Sequence, residues 1–376
     1  MKIGILTYFW AENPGTFLQA YSTYKAIEKT FSNDRVEMIN VKFRNVYYKP
    51  AKKYLFSPKF FYKSYCRFRN YRDALTGIKF SQGGYVGKNT TKALDYIQKQ
   101  EYDVVFVGSD TIFKLNSWDF ENDSLPVYYL DGIRTKKVMI AASCGSTSIN
   151  DFSPNMKKKA TSCLYDFYKL GVRDYNTYDL FYKLKRNNIN LEIVPDPTFS
   201  YEIDEKKANE ALVKNNYNFG KKTVIINLPD SFIFINETVK YFKDRNWQIV
   251  TFNYTTYADY CLFLHPDEWA GIPNFVNLVI TDRFHGSVFS IKNNTPVIGV
   301  DCSPERVSSS NSSKIKNLFE EYNIINNYIN ILDKSSSKQY FNIINYVVNN
   351  RIDFAVMNLE KRNKYLSYIQ NVLDEH

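Results

Sequence analysis

One alternation, run twice, constrains the fold of this chain more than any other feature. Residues 2–8 are β-branched and aromatic, a strand pattern, and residues 16–30 follow with helical periodicity. Residues 36–41 read as a strand, 91–99 as a helix and 102–108 as a fully apolar strand. A second apolar run fills 137–143, residues 164–173 end in another, and 189–194 form a short one before Pro195. After Tyr201 the pattern starts again. Helical stretches at 206–215, 237–244 and 286–293 alternate with strands at 223–228, 248–253, 274–281 and 296–300, and 351–373 closes the chain as a helix. Strands alternating with helices imply a parallel sheet covered on both faces. The expected fold class is therefore α/β, with two Rossmann-like domains at 1–202 and 203–350 and a C-terminal helix at 351–376. Two such domains are expected to face each other across a cleft. The 376 residues agree with two domains of roughly 100–200 residues each.

Charge is not spread evenly. The chain carries 49 Lys and Arg against 39 Asp and Glu, a formal charge of +10. Residues 42–72 hold ten of the basic residues and no acid, so they account for the whole excess. Eleven Phe or Tyr are interleaved there, among them Phe60, Phe61 and Tyr62. One reading is a basic, aromatic surface excursion of the first domain, its rings packed on that domain. The other is a patch for an anionic membrane surface, with cations drawn to lipid phosphate and rings at the interface. No nucleic-acid-binding motif accompanies the patch, so no nucleic-acid partner is expected.

No apolar run approaches the ~20 residues of a membrane-spanning helix, and the first residues read as a short strand, not a signal peptide. These features predict a cytoplasmic protein, with the basic patch offering peripheral attachment at the inner face of the membrane. The five cysteines are widely spaced with no CxxC pair, which fits reduced thiols better than a disulfide frame or a zinc site. Histidine is limited to His265, His285 and His376, so no metal site is expected.

Open parallel sheets bind ligands outside the carboxyl ends of their strands, which makes the residues after each strand the candidate site. In the first half these are Asn13-Pro14-Gly15-Thr16, Gly108-Ser109-Asp110, Ser143-Cys144-Gly145-Ser146, Gly171-Val172-Arg173-Asp174 and Pro195-Asp196-Pro197-Thr198. In the second half the candidate is Thr281-Asp282-Arg283-Phe284-His285-Gly286. Glycine at such a turn serves a tight bend, and it also bares N–H groups at a positive helix end that suits an anion. Arg283 and His285, two apart in a strand-like exit, are expected on one side, with Gly286 opening a helix. That combination would build an anion site with a titratable group beside it.

Taken in order, these segments resemble the polysaccharide pyruvyl transferase family. The matching pieces are Gly15 with Leu18-Gln19-Ala20-Tyr21, Val107-Gly108-Ser109-Asp110, Ala141-Ala142-Ser143-Cys144-Gly145 and Val172-Arg173-Asp174. Asp196-Pro197-Thr198, Pro266-Asp267-Glu268-Trp269 and Asp282-Arg283-Phe284-His285-Gly286 complete the series across residues 1–302. The family pattern usually follows Gly-Ser-Asp with Gln and Trp, where this chain has Thr111-Ile112-Phe113. The resemblance implies a GT-B-like fold, phosphoenolpyruvate as donor substrate and no cofactor. It also implies that Arg173, Arg283 and His285 face that donor. Substrate contacts are expected from Asn13, Gly15, Gly108, Ser109, Asp110, Ser143, Gly145, Asp174, Phe284 and Gly286.

The implied reaction places pyruvate as a cyclic ketal on a hexose of a bacterial surface polysaccharide or of its polyprenyl-diphosphate-linked precursor. Two guanidinium groups suit a donor with a carboxylate and a phosphate. Histidine suits general acid catalysis near neutral pH, and Asp110 or Asp174 is available as base or as helix cap. Two other readings stand beside this one: a glycosyltransferase using a nucleotide sugar on the same fold, and a non-catalytic sugar-binding protein.

Overall fold

The computed structural model describes residues 1–10, 12–43, 52, 57–115, 124–185, 190–304, 307, 313–333, 337–350 and 352–372. Part of the basic segment (44–51 and 53–56), residues 308–312 and both ends of the expected terminal helix, Arg351 and Leu373, lie outside the described residues.

The first eight strands are β1 (Lys2–Leu6), β2 (Arg35–Met38), β3 (Val41–Lys42), β4 (Tyr85–Val86), β5 (Val104–Val107), β6 (Lys136–Ala142), β7 (Phe167–Val172) and β8 (Leu191–Ile193). The rest are β9 (Thr223–Asn227), β10 (Gln248–Thr251), β11 (Tyr260–Cys261), β12 (Leu278–Thr281), β13 (Val297–Asp301) and β14 (Tyr328–Asn330). The helices of the first half are α1 (Pro14–Thr30), α2 (Pro58–Ala74), α3 (Thr90–Gln98), α4 (Pro154–Tyr165) and α5 (Tyr175–Lys185). Those of the second half are α6 (Glu205–Lys214), α7 (Ile235–Lys243), α8 (Pro266–Gly271), α9 (Phe284–Lys292), α10 (Lys314–Glu321), α11 (Ser337–Asn349) and α12 (Ala355–Asn371).

The chain divides into two compact units. The first comprises Met1–Tyr47, Leu75–Tyr201 and Lys361–His376, and the second Tyr48–Ala74 and Glu202–Glu360. Each is built on a six-stranded, all-parallel sheet. The first has the order β2-β1-β5-β6-β7-β8 and the second β11-β10-β9-β12-β13-β14. The expected α/β class with two Rossmann-like units is thus the observed one. Central strands such as β5 (VVFV) and β12 (LVIT) are buried at every residue. A parallel strand covered on both faces has no solvated side, so it reads as an unbroken apolar run. In the second unit Val224, Ile249, Ile280 and Ile298 of the sheet pack with Phe242 and Tyr340.

Two parts of the domain reading change. The basic segment was placed with the first domain, yet Tyr48–Ala74 groups with the second unit. Its described part is the helix α2, held by packing on the second sheet's side: Phe60 lies 4.0 Å from the Tyr254 ring, and Arg67 donates to the Phe252 carbonyl at 3.0 Å. Nor is the terminal helix a separate piece. The Tyr365 and Tyr368 rings are buried in the first unit, and Tyr368 donates to the Met139 carbonyl of β6 at 2.6 Å. Gly171 on β7 makes room for it, since a Cβ there would come within 2.7 Å of the Tyr368 ring.

Each sheet reverses strand order once, between β1 and β5 in the first and between β9 and β12 in the second. The carboxyl ends at these switch points are where open α/β sheets form ligand crevices. The segments after β1, β5 and β12 are those singled out from the sequence.

Candidate active site

In the first unit the centre of the strand-end group is Arg173, directly after β7. Its side chain is only 4% exposed and donates through Nη1 to Asp196 Oδ2 at 2.5 Å, while Nη2 stands 3.8 Å from Asp110 Oδ1. Burial disfavours the guanidinium charge, but Asp196, Asp110 and Asp174 outweigh it and raise the pKa further. Arg173 is therefore a firmly charged group inside a carboxylate cage.

Asp196 was quoted in the sequence but not expected in the site. It follows β8, the neighbour of β7, which brings it beside Arg173. Its other oxygen accepts the Thr198 N–H at 2.9 Å and the Thr198 hydroxyl at 2.5 Å. The Arg173 cage is thus tied into the turn Pro197–Ser200.

Asp110, after β5, adopts a φ of +81°, a region that costs a non-glycine residue on the order of 1–3 kcal/mol. Several contacts hold it there. Its carboxylate accepts the Thr111 N–H at 2.7 Å and the Thr16 hydroxyl of α1 at 3.4 Å, and its carbonyl accepts the Ser143 N–H at 2.9 Å. Its side chain is 21% exposed, the most open carboxylate of the Arg173 ion pairs. Gly108 has φ +127°, and a Cβ there would meet the Ile140 carbonyl oxygen at 2.0 Å, so only glycine fits. Ser109 is fully buried and contacts Thr23 of α1 at 3.4 Å.

The glycine turns do different work from that expected. Asn13 caps α1, accepting the N–H groups of Gly15 and Thr16 at 3.0 and 3.3 Å. Those donors are satisfied by the protein itself. Ser143 Oγ takes the Gly145 N–H at 3.1 Å, and Gly145 has φ +62°. Asp174 caps the start of α5, accepting the Thr177 N–H at 2.9 Å and its hydroxyl at 2.7 Å. Of the two acids offered as base, Asp174 is therefore a buried capping group and Asp110 the more open one.

In the second unit Arg283 and His285 do not both lie in a strand-like exit. Arg283 is extended (φ −108°, ψ 127°) at the N-cap of α9, and Phe284 and His285 form its first turn. The helix opens two residues before Gly286. The Arg283 side chain makes no capping hydrogen bond and no acid stands in the first turn, and the dipole of a helix start favours an anion. Arg283 is 51% exposed, with Nε held 3.1 Å from the buried Asp282. His285 is half-buried, its ring meeting Phe284 edge to face at 5.2 Å.

Thr281, fully buried at the end of β12, accepts the Arg283 N–H at 3.0 Å. Gly286 packs on it so tightly that a Cβ would lie 2.6 Å from Thr281 Oγ1. The Pro266–Trp269 motif is structural: His265 caps α8 through Nδ1, and Trp269 packs on Phe289 of α9 at 5.2 Å. Among the described residues no group of three or more His, Cys, Asp or Glu is arranged to hold a metal ion. The five cysteines are not joined by disulfides.

Two parallel α/β units with polar groups gathered at the strand carboxyl ends define the class: a GT-B-like protein. Solved structures share this fold. The UDP-GlcNAc 2-epimerase of Methanocaldococcus jannaschii aligns over 99% of each chain with a TM-score of 0.60 at 10% identity. S. aureus MnaA, solved with UDP, covers 100% of this chain and 98% of its own, with a TM-score of 0.51 at 11% identity. Medicago truncatula UGT71G1, solved with UDP-glucose, has the same coverage and identity with a TM-score of 0.50. These likenesses concern the fold alone. Comparison with curated protein sequences finds no match. The family model for polysaccharide pyruvyl transferases matches residues 13–304, most of the chain and every strand-end segment described above. The chain belongs to the polysaccharide pyruvyl transferase family.

Proposed function

We propose that this enzyme transfers pyruvate from phosphoenolpyruvate to a hexose and closes it as a cyclic ketal. The observation that carries the reading is the start of α9: a helix N-terminus with the exposed Arg283 at its entry and His285 in its first turn. In this reading Arg283 and the α9 N–H groups take an anionic group of the donor. Asp282 and Thr281 fix Arg283 from both sides, so little conformational freedom is lost on binding.

His285 gives a proton to the vinyl CH2, making the central carbon electrophilic. A sugar hydroxyl adds to that carbon as its proton passes to the departing phosphate. The bond from carbon to the phosphate oxygen breaks and phosphate leaves. A second hydroxyl of the same sugar then closes the ketal, and its proton restores His285. One donor and one diol thus give one ketal and one phosphate, with the two hydroxyl protons ending on the methyl group and the phosphate. The charge is handled by Arg283 and a helix end, and the scheme calls on no cofactor or metal.

The test is incubation with phosphoenolpyruvate and a panel of hexose acceptors, followed by mass spectrometry and phosphate release. A pyruvate ketal with one equivalent of phosphate supports the reading. Sugar transfer from UDP- or GDP-sugars with no reaction of phosphoenolpyruvate would replace it.

A further inference from the structure

Helix α2 presents two unlike faces. Phe60, Ser64, Arg67, Phe68 and Tyr71 recur at helical spacing and turn inward, with Ser64, Phe68 and Tyr71 buried. Arg67 bonds to the Phe252 carbonyl and to Asn253, and stacks over Phe263 at 5.2 Å. The opposite stripe is Tyr62, Tyr65, Arg69 and Arg72, all exposed, with Lys59 and Phe61 beside it. Tyr62 is 66% exposed. Asp73 is the single acid of this helix, and Lys59 repels the half-buried Lys63, adding to the burial that lowers the Lys63 pKa. A surface that pairs exposed rings with uncompensated cations suits the boundary between anionic headgroups and acyl chains.

Position adds to composition. The groups Arg67 grips, Phe252 and Asn253, directly follow β10, and Arg283 lies two residues after the end of β12. Both strands flank β9 in the same parallel sheet, so α2 lies on the sheet edge that carries Arg283 and His285. Ile233, 64% exposed, stands in the loop after β9 at that edge too.

We infer that the outer stripe of α2 docks this enzyme on an anionic bilayer surface and turns the catalytic edge of the second unit toward acceptors carried by lipid. The docking half stands alone. The acceptor half rests on the pyruvyl-transfer reading and names its substrate class: a hexose on a membrane-embedded polyprenyl diphosphate.

The experiment is flotation of the full chain with vesicles of phosphatidylcholine, with and without phosphatidylglycerol, at low and high salt. Transfer to a short soluble acceptor and to the same sugar on a vesicle-embedded polyprenyl diphosphate is measured in parallel. Wild type should bind only the anionic vesicles and leave them as salt rises. Arg69→Glu with Arg72→Glu should weaken partition at least tenfold, whereas the two lysine replacements should keep it. Tyr62→Ser with Tyr65→Ser should weaken it severalfold even at low salt. All these variants should keep soluble-acceptor turnover, while transfer to the embedded acceptor falls with binding. Wild type that ignores anionic vesicles at low salt overturns the docking surface, as does a double-glutamate variant that floats normally. RNA or DNA that displaces the protein from vesicles at equal charge concentration would assign the stripe to nucleic acid instead. Vesicle binding with transfer to neither acceptor would leave the docking surface standing and remove the reaction reading.

Discussion

Replacing Asp196 by asparagine puts the buried centre of the first unit under its sharpest strain. The Asp196 side chain is 1% exposed and serves two donors at once: Arg173 Nη1 on Oδ2, and the Thr198 N–H and hydroxyl on Oδ1. Asparagine can face only one of them with an oxygen. Whichever way its amide turns, an NH2 group meets a donor in a site without water access. Arg173 then keeps a buried charge that has lost its shortest carboxylate contact, with Asp110 at 3.8 Å and Asp174 still near it. Removing one partner of a buried pair costs about 3–5 kcal/mol. For a unit of about 150–250 residues each kcal/mol lowers Tm by about 2–4 °C. The transition of the first unit should therefore fall by roughly 6–20 °C.

Differential scanning calorimetry measures this, with the second unit as an internal reference because two units need not melt as one. Asp179→Asn is the control. It breaks an exposed i,i+4 pair with Lys183, worth no more than about 0.5 kcal/mol, and should move Tm by no more than about 2 °C. If Asp196→Asn melted as close to wild type as that control, the Arg173 cage would not be the buried constraint described here.

The remaining predictions concern the second unit and the chemistry. His285→Ala should abolish pyruvyl transfer with circular dichroism and Tm unchanged; near wild-type turnover across neutral pH would remove it as general acid. Arg283→Lys keeps the charge but loses the planar fork, and steady-state kinetics should show at least a tenfold drop in donor kcat/KM, about 1.4 kcal/mol. Gly286→Ala places a methyl group 2.6 Å from Thr281 Oγ1. It should cost about 1–3 kcal/mol by overpacking and displace Arg283, seen as a raised donor KM alongside a lowered Tm. EDTA should leave turnover unchanged, and activity lost to chelator and restored by magnesium would point to a diphosphate donor.

The fold was legible where burial leaves no ambiguity. β5, β6, β9, β12 and β13 are covered on both faces, so their sequences are nearly unbroken apolar runs. Edge strands such as β11 and β14, two and three residues long, carry too little pattern to be seen. Helix α2 was hidden for another reason. Its inner face uses Ser64 and Arg67, and its outer face uses Tyr62 and Tyr65. Apolarity therefore does not sort its two sides. Its attachment depends on Arg67 reaching the Phe252 carbonyl, 185 residues away, which no local periodicity encodes.

The site was legible to the extent that topology alone specifies it. A parallel sheet must deliver its functional groups at strand ends, so Asp110, Arg173, Arg283 and His285 could be picked out by position. What topology leaves open is which groups satisfy one another. The Gly15 and Thr16 donors looked suited to an anion until Asn13 was found to take them, and Asp174 is likewise used up on α5. The start of α9 differs in that its N-cap residue, Arg283, makes no capping hydrogen bond with its side chain. That distinction needs coordinates, because an asparagine before one helix and an arginine before another are both merely polar in the sequence. Asp196 could have been found earlier. An acid at the end of the strand beside the one carrying an arginine is close enough to pair with it, and a buried guanidinium needs such a partner. The same reasoning separates the two arginines chemically. Arg173 is buried and caged by Asp196 and Asp110. Arg283, half exposed at a helix start, keeps its guanidinium open to solvent.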